Sequence, residues 1–167
     1  MPEFVLKDCE AAIRVSMLPY PESAWKRAKY KVWKVIYPIH PHVRDGLLAI
    51  GLNLFREKRR QRFVLGHMVP RKDIGEFLAH LERQGFGNHF IPCEDNGQII
   101  SLRRPAGFEW QYRSMIFKDG EVRAHYEPTP ECFPVRHLLA RGQLPRREEF
   151  LNFCGDWITP AAESAIP

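Results

Sequence analysis

Two dipeptides, Asn96-Gly97 and Asp119-Gly120, constrain the fold of this chain more than any other feature of its sequence. Each lies between segments in which apolar and polar residues alternate, and alternation with a period of two is typical of β-strands. Asn-Gly and Asp-Gly accept the positive φ angles of a type I′ turn, which forms the two-residue hairpin loop. The sequence therefore predicts two β-hairpins, over residues 89–104 and 109–127.

A third hairpin is predicted ahead of these two. Ile50, Leu52 and Leu54 alternate with small or polar residues, as one buried face of a strand requires. A charged turn follows at 56–61, and the apolar segment 62–69 then returns until Pro70 ends it.

Helices are predicted at both ends of the chain and between the hairpins. The clearest begins at Asp73, which can cap it together with Glu76, and ends at Gly85. Its apolar residues recur at helical spacing on one face: Ile74, Phe77, Leu78 and Leu81. Two short helices are predicted at 135–141 and 147–154.

A basic helix is predicted from Glu22 to about residue 36, with one apolar stripe. The stripe consists of Trp25, Ala28, Val32 and Val35. A strand over residues 30–37 is the alternative, because Trp33 and its neighbours also alternate with lysines.

Together these elements predict an α+β fold. We expect a mainly antiparallel, twisted sheet of about six strands in three hairpins, with helices packed on one face. No repeat or linker divides the chain, so a single domain is predicted over residues 1–158, followed by a frayed tail at 159–167.

The two-residue bends also predict which side chains share a face, because cross-strand partners point the same way. A bend at Asp119-Gly120 alone pairs Ile116 with Arg123, Ser114 with His125 and Tyr112 with Glu127. The same arithmetic at Asn96-Gly97 pairs Cys93 with Ile100 and Ile91 with Leu102. The face predicted to point away from the core carries Ser101, Arg103, Trp110, Tyr112, Ser114, Ile116, Arg123, His125 and Glu127.

The chain is moderately basic, with 25 Lys and Arg against 20 Asp and Glu, which favours an anionic partner. Arginine and aromatic residues on an open sheet are typical of single-stranded nucleic-acid binding, although a merely solvated sheet face has a similar composition. The predicted anion contacts are Lys26, Arg27, Lys29, Lys31, Lys34, Arg56, Lys58, Arg59, Arg60, Arg103, Arg123, Trp110 and Tyr112.

The same sheet face offers a catalytic alternative. His125 and Glu127 are two residues apart on a strand and point the same way, so they could form an acid–base pair with Arg123 beside them. Cys132 is a conceivable nucleophile nearby. No metal site or cofactor is predicted, because the four cysteines form no C-x-x-C pair, the seven histidines have no ligand spacing, and no glycine-rich phosphate loop occurs.

Three functions therefore stay open. The first is a small binding module for RNA or single-stranded DNA, and the second is a hydrolase or nuclease that uses His125, Glu127 and Arg123. The third is a subunit that docks a protein partner through Tyr30, Trp33 and Trp110. Because no apolar run approaches the roughly 20 residues of a bilayer span, we expect a soluble, cytoplasmic protein with no membrane partner.

Overall fold

The computed structural model describes residues 21–39, 63–88, 97–138 and 142–162, together with the single positions 42 and 46. Short 3₁₀ turns follow the first and last helices, at Tyr37–Ile39 and Gly155–Trp157. The helices are α1 (Ala24–Ile36), α2 (Ile74–Arg83), α3 (Pro134–Leu138) and α4 (Arg147–Cys154). The strands are β1 (Val64–Met68), β2 (Gly87–Asn88), β3 (Gln98–Pro105), β4 (Trp110–Phe117), β5 (Glu121–Pro128) and β6 (Ile158–Pro160).

The six strands form one antiparallel sheet in the order β2-β3-β4-β5-β1-β6, which confirms the predicted α+β class. Strands β3, β4 and β5 are consecutive neighbours, whereas β1 lies between β5 and β6. The predicted hairpin partner of β1, near residues 50–54, lies outside the described residues. Strand β6 includes Thr159 and Pro160, which fall in the range that the sequence assigns to the tail.

The bend between β4 and β5 is longer than predicted. Gly120 N donates to Phe117 O at 2.9 Å, and Gly120 has a φ of 84°, whereas Asp119 is not among the described non-glycine residues with positive φ. A β-turn followed by a left-handed glycine is the three-residue hairpin loop, here Lys118, Asp119 and Gly120. A type I′ turn, which needs two positive φ angles, does not form.

This extra loop residue makes the predicted pairing wrong by one position. Ile116 lies opposite Val122, Ser114 opposite Ala124 and Tyr112 opposite Tyr126. A shift of one residue exchanges the two faces of a strand, so all of β4 is inverted relative to the prediction. The prediction for β5 keeps its face, and Arg123, His125 and Glu127 do point away from α2 and α4.

The predicted pairing at Asn96-Gly97 is also wrong where it can be compared. Leu102 pairs with Asn88 instead of Ile91, so the observed register differs from the predicted one by three residues. Ile91, Cys93 and Asn96 lie outside the described residues.

The larger apolar core lies on the sheet face that α2 and α4 cover. Asp73 Oδ1 accepts a hydrogen bond from Glu76 N at 3.0 Å, so the predicted cap of α2 is confirmed. Burial of each large apolar side chain contributes about 1.5–3 kcal/mol, which makes this face the main source of stability. The helices contribute Ile74, Phe77, Leu78, Leu81, Phe150 and Cys154, which pack with Ile100, Leu102, Tyr112, Ile116, Val122, Ala124 and Tyr126 of the sheet.

The opposite sheet face, which the sequence predicts to be open, is buried for much of its area. The segment after β5 and helix α3 lie over it, since His137 of α3 reaches Glu127 and Pro128. Helix α1 contacts three residues of the neighbouring loops, which are Glu109, Phe108 and Cys132. Within the described residues, no helix is both long enough and apolar enough to cross a bilayer.

Candidate functional site

The two residues predicted as an acid–base pair are in contact. His125 Nε2 lies 3.0 Å from Glu127 Oε2, and both side chains extend from β5 on the same face. They are not on an open surface, because His125 is only 4% exposed and Glu127 only 1%. The expectation of a solvated or substrate-accessible face is therefore wrong at these two positions.

Glu127 is the centre of a buried group of polar side chains. Gln111 Nε2 donates to its Oε1 at 2.9 Å, and Gln143 Nε2 donates to its Oε2 at 3.2 Å. Arg113 Nη1 and His137 Nδ1 lie 3.7 Å and 3.6 Å from Oε1. We call these residues the Glu127 cluster: Gln111, Arg113, His125, Glu127, His137 and Gln143.

The charges in this cluster depend on one another. Burial by itself raises the pKa of Glu127, but His137, His125 and Arg113 outweigh it and hold that pKa well below the ordinary value. Burial lowers the pKa of His137, and Glu127 opposes this only in part. At neutral pH the cluster thus contains an ionised Glu127 and a neutral His137, whose Nδ1–H donates to Pro128 O at 3.3 Å. The cation beside Glu127 at that pH is Arg113, and the charge of His137 acts on Glu127 only at lower pH, once His137 is protonated.

One nitrogen in the cluster has no partner among the described residues. With Nε2–H of His125 directed at Glu127, its Nδ1 is buried and forms no hydrogen bond there. The ring of Phe63 packs against the imidazole, with the two centroids 5.0 Å apart. A base needs such a free nitrogen, but it also needs access to a substrate, which this burial does not provide.

A second buried ion pair lies beside the cluster. Arg103 Nη1 is 2.7 Å from Glu131 Oε1, and Arg103 and Glu131 are both buried. Arg113, the cross-strand neighbour of Arg103, donates from Nε to Ser101 Oγ at 3.0 Å. The prediction that Arg103 contacts an external anion is therefore wrong, because its guanidinium is already neutralised inside the protein.

Arg123 is separated from the pair it was predicted to assist. It forms an ion pair with Glu121, and its guanidinium lies 4.3 Å from the ring centroid of Phe117. Its side chain is about one quarter exposed, which leaves it little capacity for a further anion.

Trp110 and Tyr112 lie on the α4 side of the sheet because β4 is inverted. Tyr112 packs among the rings of Tyr126, Phe150 and Phe153, and its hydroxyl donates to Glu149. The indole of Trp110 is stacked parallel to Tyr126 at 5.1 Å. The predicted stacking of bases on Tyr112 is wrong, since other aromatic rings of the protein surround it.

Helix α1 uses two of its five predicted anion contacts inside the protein. Lys26 Nζ is 3.3 Å from Glu109 Oε1, and Lys29 Nζ lies 3.7 Å from Cys132 Sγ and 4.6 Å from the centroid of the Phe133 ring. Tyr30 packs edge-on against Phe108, and Trp33 is buried. The prediction of an exposed Trp33 is wrong, because this residue belongs to the inner side of the helix.

The opposite side of α1 faces solvent. Arg27, Lys31 and Lys34 are exposed. Arg27 Nη1 donates locally to Glu22 O at 3.0 Å, and Lys34 Nζ lies 5.1 Å from the centroid of the Tyr30 ring in the same helix. The predicted apolar stripe is exposed as well, with 71% for Trp25, 55% for Val32 and 77% for Val35. The apolar stripe of a surface helix usually packs on the protein, but this one does not. We call this side the outer face of α1: Trp25, Arg27, Ala28, Lys31, Val32, Lys34 and Val35.

The remaining predicted groups, the cations at 56–60 and the Cys132 thiol, add no evidence for a functional site. Arg56, Lys58, Arg59 and Arg60 lie outside the described residues, so their contacts stay a prediction. Burial raises the pKa of the Cys132 thiol although Lys29 opposes it, and a nucleophilic cysteine needs the reverse shift. In the part of the chain that the structure describes, no three His, Cys, Asp or Glu side chains are placed to hold a metal ion.

Sequence reasoning missed most of the Glu127 cluster. Gln111 and Arg113 were assigned to the core face by the register error, and their polarity was the signal that could have corrected it. His137, Gln143 and Glu131 follow β5 and fold back on it, which no local pattern in one sequence predicts.

Comparison with known proteins assigns no role to the Glu127 cluster or to the outer face of α1. No protein-family model, no curated protein sequence and no solved structure matches this chain significantly.

Proposed function

We propose that this protein binds an anionic partner through the outer face of α1. The observation that carries the proposal is that this helix of 13 residues has five basic residues, no acidic residue, and three of its cations, Arg27, Lys31 and Lys34, in solvent. Elsewhere, the predicted cations Arg103 and Arg123 are paired with carboxylates of the same chain.

The three exposed cations can act together on one partner. With 3.6 residues per turn, they fall within an arc of about 60° and span a rise of about 10 Å. The rise between neighbouring members of this set is only about 4.5–6 Å, which is within the Debye length of about 8 Å at physiological ionic strength, so their potentials add. Such a surface attracts polyanions rather than single anions.

The sequence favours RNA or single-stranded DNA because of aromatic and arginine side chains on the sheet. Because Arg103 and Tyr112 are buried, the side chains of the sheet no longer support nucleic-acid binding, and the proposal depends on α1. RNA remains a suitable test polymer, because dense phosphate charge should bind any such basic surface at low salt.

The catalytic alternative has less support. His125 and Glu127 are in contact, but both side chains are buried and Glu127 accepts hydrogen bonds from three neighbours. A buried, fully engaged carboxylate is what a structural ion cluster requires.

A salt titration of RNA binding tests the proposal. If each exposed cation neutralises one phosphate of a single-stranded oligonucleotide, log K should fall with a slope of about −2 against log salt concentration. Affinity should then decrease about 20-fold between roughly 50 and 200 mM salt. The variant Arg27→Gln/Lys31→Gln/Lys34→Gln should lose both the affinity and the slope.

Absence of binding at low salt would contradict the proposal. Binding that keeps the wild-type slope in the triple variant would also contradict it, because the charge would then act from another surface.

A further inference from the structure

Helix α1 exposes an apolar surface that phosphate binding does not use. Trp25, Ala28, Val32 and Val35 fall within an arc of about 80° and extend over a rise of about 15 Å. Ile39, in the turn after the helix, is also more than half exposed. Exposed large apolar side chains that form a continuous patch are typical of binding surfaces.

The apolar arc and the basic arc lie side by side on the same exposed surface. Lys31 follows directly on the apolar arc, and the basic arc extends from it to Lys34 on the far side. The third arc, with Lys26, Tyr30 and Trp33, attaches the helix to the protein. A partner must therefore accept aliphatic groups and cations at once.

Single-stranded nucleic acid meets only half of that requirement. Its bases stack on aromatic faces, which Trp25 could offer, but Val32 and Val35 have no π-face and cannot bind phosphate. An anionic lipid surface meets both, since acyl chains accept the apolar arc and headgroups pair with the cations. A lysine can extend its ammonium group to the headgroups while its methylene stem stays with the apolar residues.

We infer that the anionic partner of α1 is the surface of a membrane that contains anionic lipids, on which the helix lies parallel to the plane. This inference rests on the proposed function, because it names the partner of the same face. Surface adsorption needs no spanning segment, and Trp25 is the type of residue that settles at the boundary between headgroups and acyl chains.

Vesicle binding tests the inference. The full chain should bind vesicles of phosphatidylcholine mixed with phosphatidylserine, and should not bind vesicles of phosphatidylcholine alone. Tryptophan emission should shift to shorter wavelength on binding, because Trp25 is 71% exposed whereas Trp33 is 3% exposed. In the variant Trp25→Phe the protein should still bind, but the shift should disappear.

Two double variants separate the contribution of the apolar side chains to vesicle binding from the contribution of the cations. Val32→Gln/Val35→Gln keeps every charge and a good helix former at both sites, so it should weaken vesicle binding at least tenfold and leave RNA binding within twofold. Lys31→Gln/Lys34→Gln should weaken vesicle binding roughly 25-fold, since each cation contributes about fivefold near an anionic surface. Circular dichroism melts of both variants confirm that they fold.

The possible failures point to different conclusions. If RNA binds at low salt but vesicles do not, the lipid inference is overturned while the proposed function stands. Wild-type vesicle binding by Val32→Gln/Val35→Gln, or binding without an emission shift, would also overturn the inference. If neither RNA nor vesicles bind, both the inference and the proposed function are wrong.

Discussion

At the scale of single residues, Glu127 is the group on which the buried side of the sheet most depends. It accepts hydrogen bonds from Gln111, Gln143 and His125 and forms an ion pair with the buried Arg113. A buried ion pair adds little net stability over apolar packing, but removal of one partner leaves an uncompensated charge.

The substitution Glu127→Gln should therefore lower the free energy of unfolding by roughly 3–5 kcal/mol. The amide removes the negative charge and directs its own NH₂ group at neighbours that already donate hydrogen bonds. Urea denaturation at neutral pH measures the change, with the exposed Glu148→Gln as the matched control. A loss below about 1 kcal/mol would mean that the cluster is hydrated or rearranged.

The same cluster predicts how stability depends on pH. The folded-state pKa of His137 lies below its ordinary value of 6.5, and that of Glu127 lies well below 4.5. The unfolded chain therefore binds more protons than the folded protein as the pH falls. Stability should be highest above pH 6.5, decrease below it as His137 of the unfolded chain is protonated, and decrease again below pH 4.5.

Denaturation curves across this range test the two groups separately. His137→Gln should reduce the slope that begins at pH 6.5. Glu127→Gln should reduce the slope that begins at pH 4.5, and the remaining slope there comes from Glu149 and Asp156, whose pKa values are also lowered. A wild-type stability that stays constant from neutral pH down to pH 5 would contradict the assignment of a neutral, buried His137.

How much of the site could be predicted also differs between residues. The contact between His125 and Glu127 follows from their spacing of two on a strand, and the structure confirms it. Their burial could not be predicted, because it depends on residues after β5 that fold back over the sheet. Side chains such as His137 and Gln143 become neighbours only through that tertiary packing.

At the scale of elements, the sequence pattern of a helix predicted the structure well where its apolar face is also the face that packs on the protein. Helix α2 has a cap, an apolar face and a terminating glycine at the predicted positions, and its apolar face is buried. Helix α1 is also a helix, but its apolar stripe is exposed because Tyr30 and Trp33, beside the stripe, make the contact with the protein. Periodicity therefore predicted the helix but not the side that packs.

The bend at Asp119-Gly120 illustrates a second limit. The dipeptide fits both a two-residue and a three-residue loop, and the two choices differ by one position in register. Further contacts favour the longer loop: Asp119 Oδ1 accepts from Glu121 N, and Met68 N of the neighbouring strand donates to Gly120 O. The second contact is made by a residue outside the hairpin, so the sequence of the hairpin alone does not reveal it.

The edge of the sheet depends on a close approach at Gly66. A Cβ atom added there would lie 2.1 Å from the backbone oxygen of Thr159 in β6, far inside contact distance. Gly66→Ala should therefore separate β6 from β1 and lower the free energy of unfolding by about 1–3 kcal/mol. Hydrogen exchange should rise first at Val69 and Ala161, whose amides donate to Trp157 O and Leu65 O across this edge.

The control for this substitution is Gly46→Ala. Gly46 is helical and exposed, and an added Cβ would have no atom within 4 Å, so alanine should be neutral or slightly stabilising. Equal effects at both glycines would mean that β6 does not pair closely with β1.

At the scale of the whole molecule, the charged groups of the buried sheet face and those of α1 behave differently. Those on the buried sheet face neutralise one another, as in the pairs Arg103–Glu131 and Arg113–Glu127. Those on the outer face of α1 remain in solvent. The basic net charge pointed to an anionic partner, but only the structure separates the cations that are free to bind from those that hold the fold together.

The most direct test of this division is the RNA affinity of two charge-reversal variants with equal net charge, measured at one low salt concentration. Lys31→Glu/Lys34→Glu changes the outer face of α1, and Arg83→Glu/Lys118→Glu changes exposed cations elsewhere. We predict that the first variant loses at least tenfold in affinity and that the second stays within about threefold of wild type, the residual loss reflecting net charge alone. Equal losses in both variants would contradict a binding face on α1.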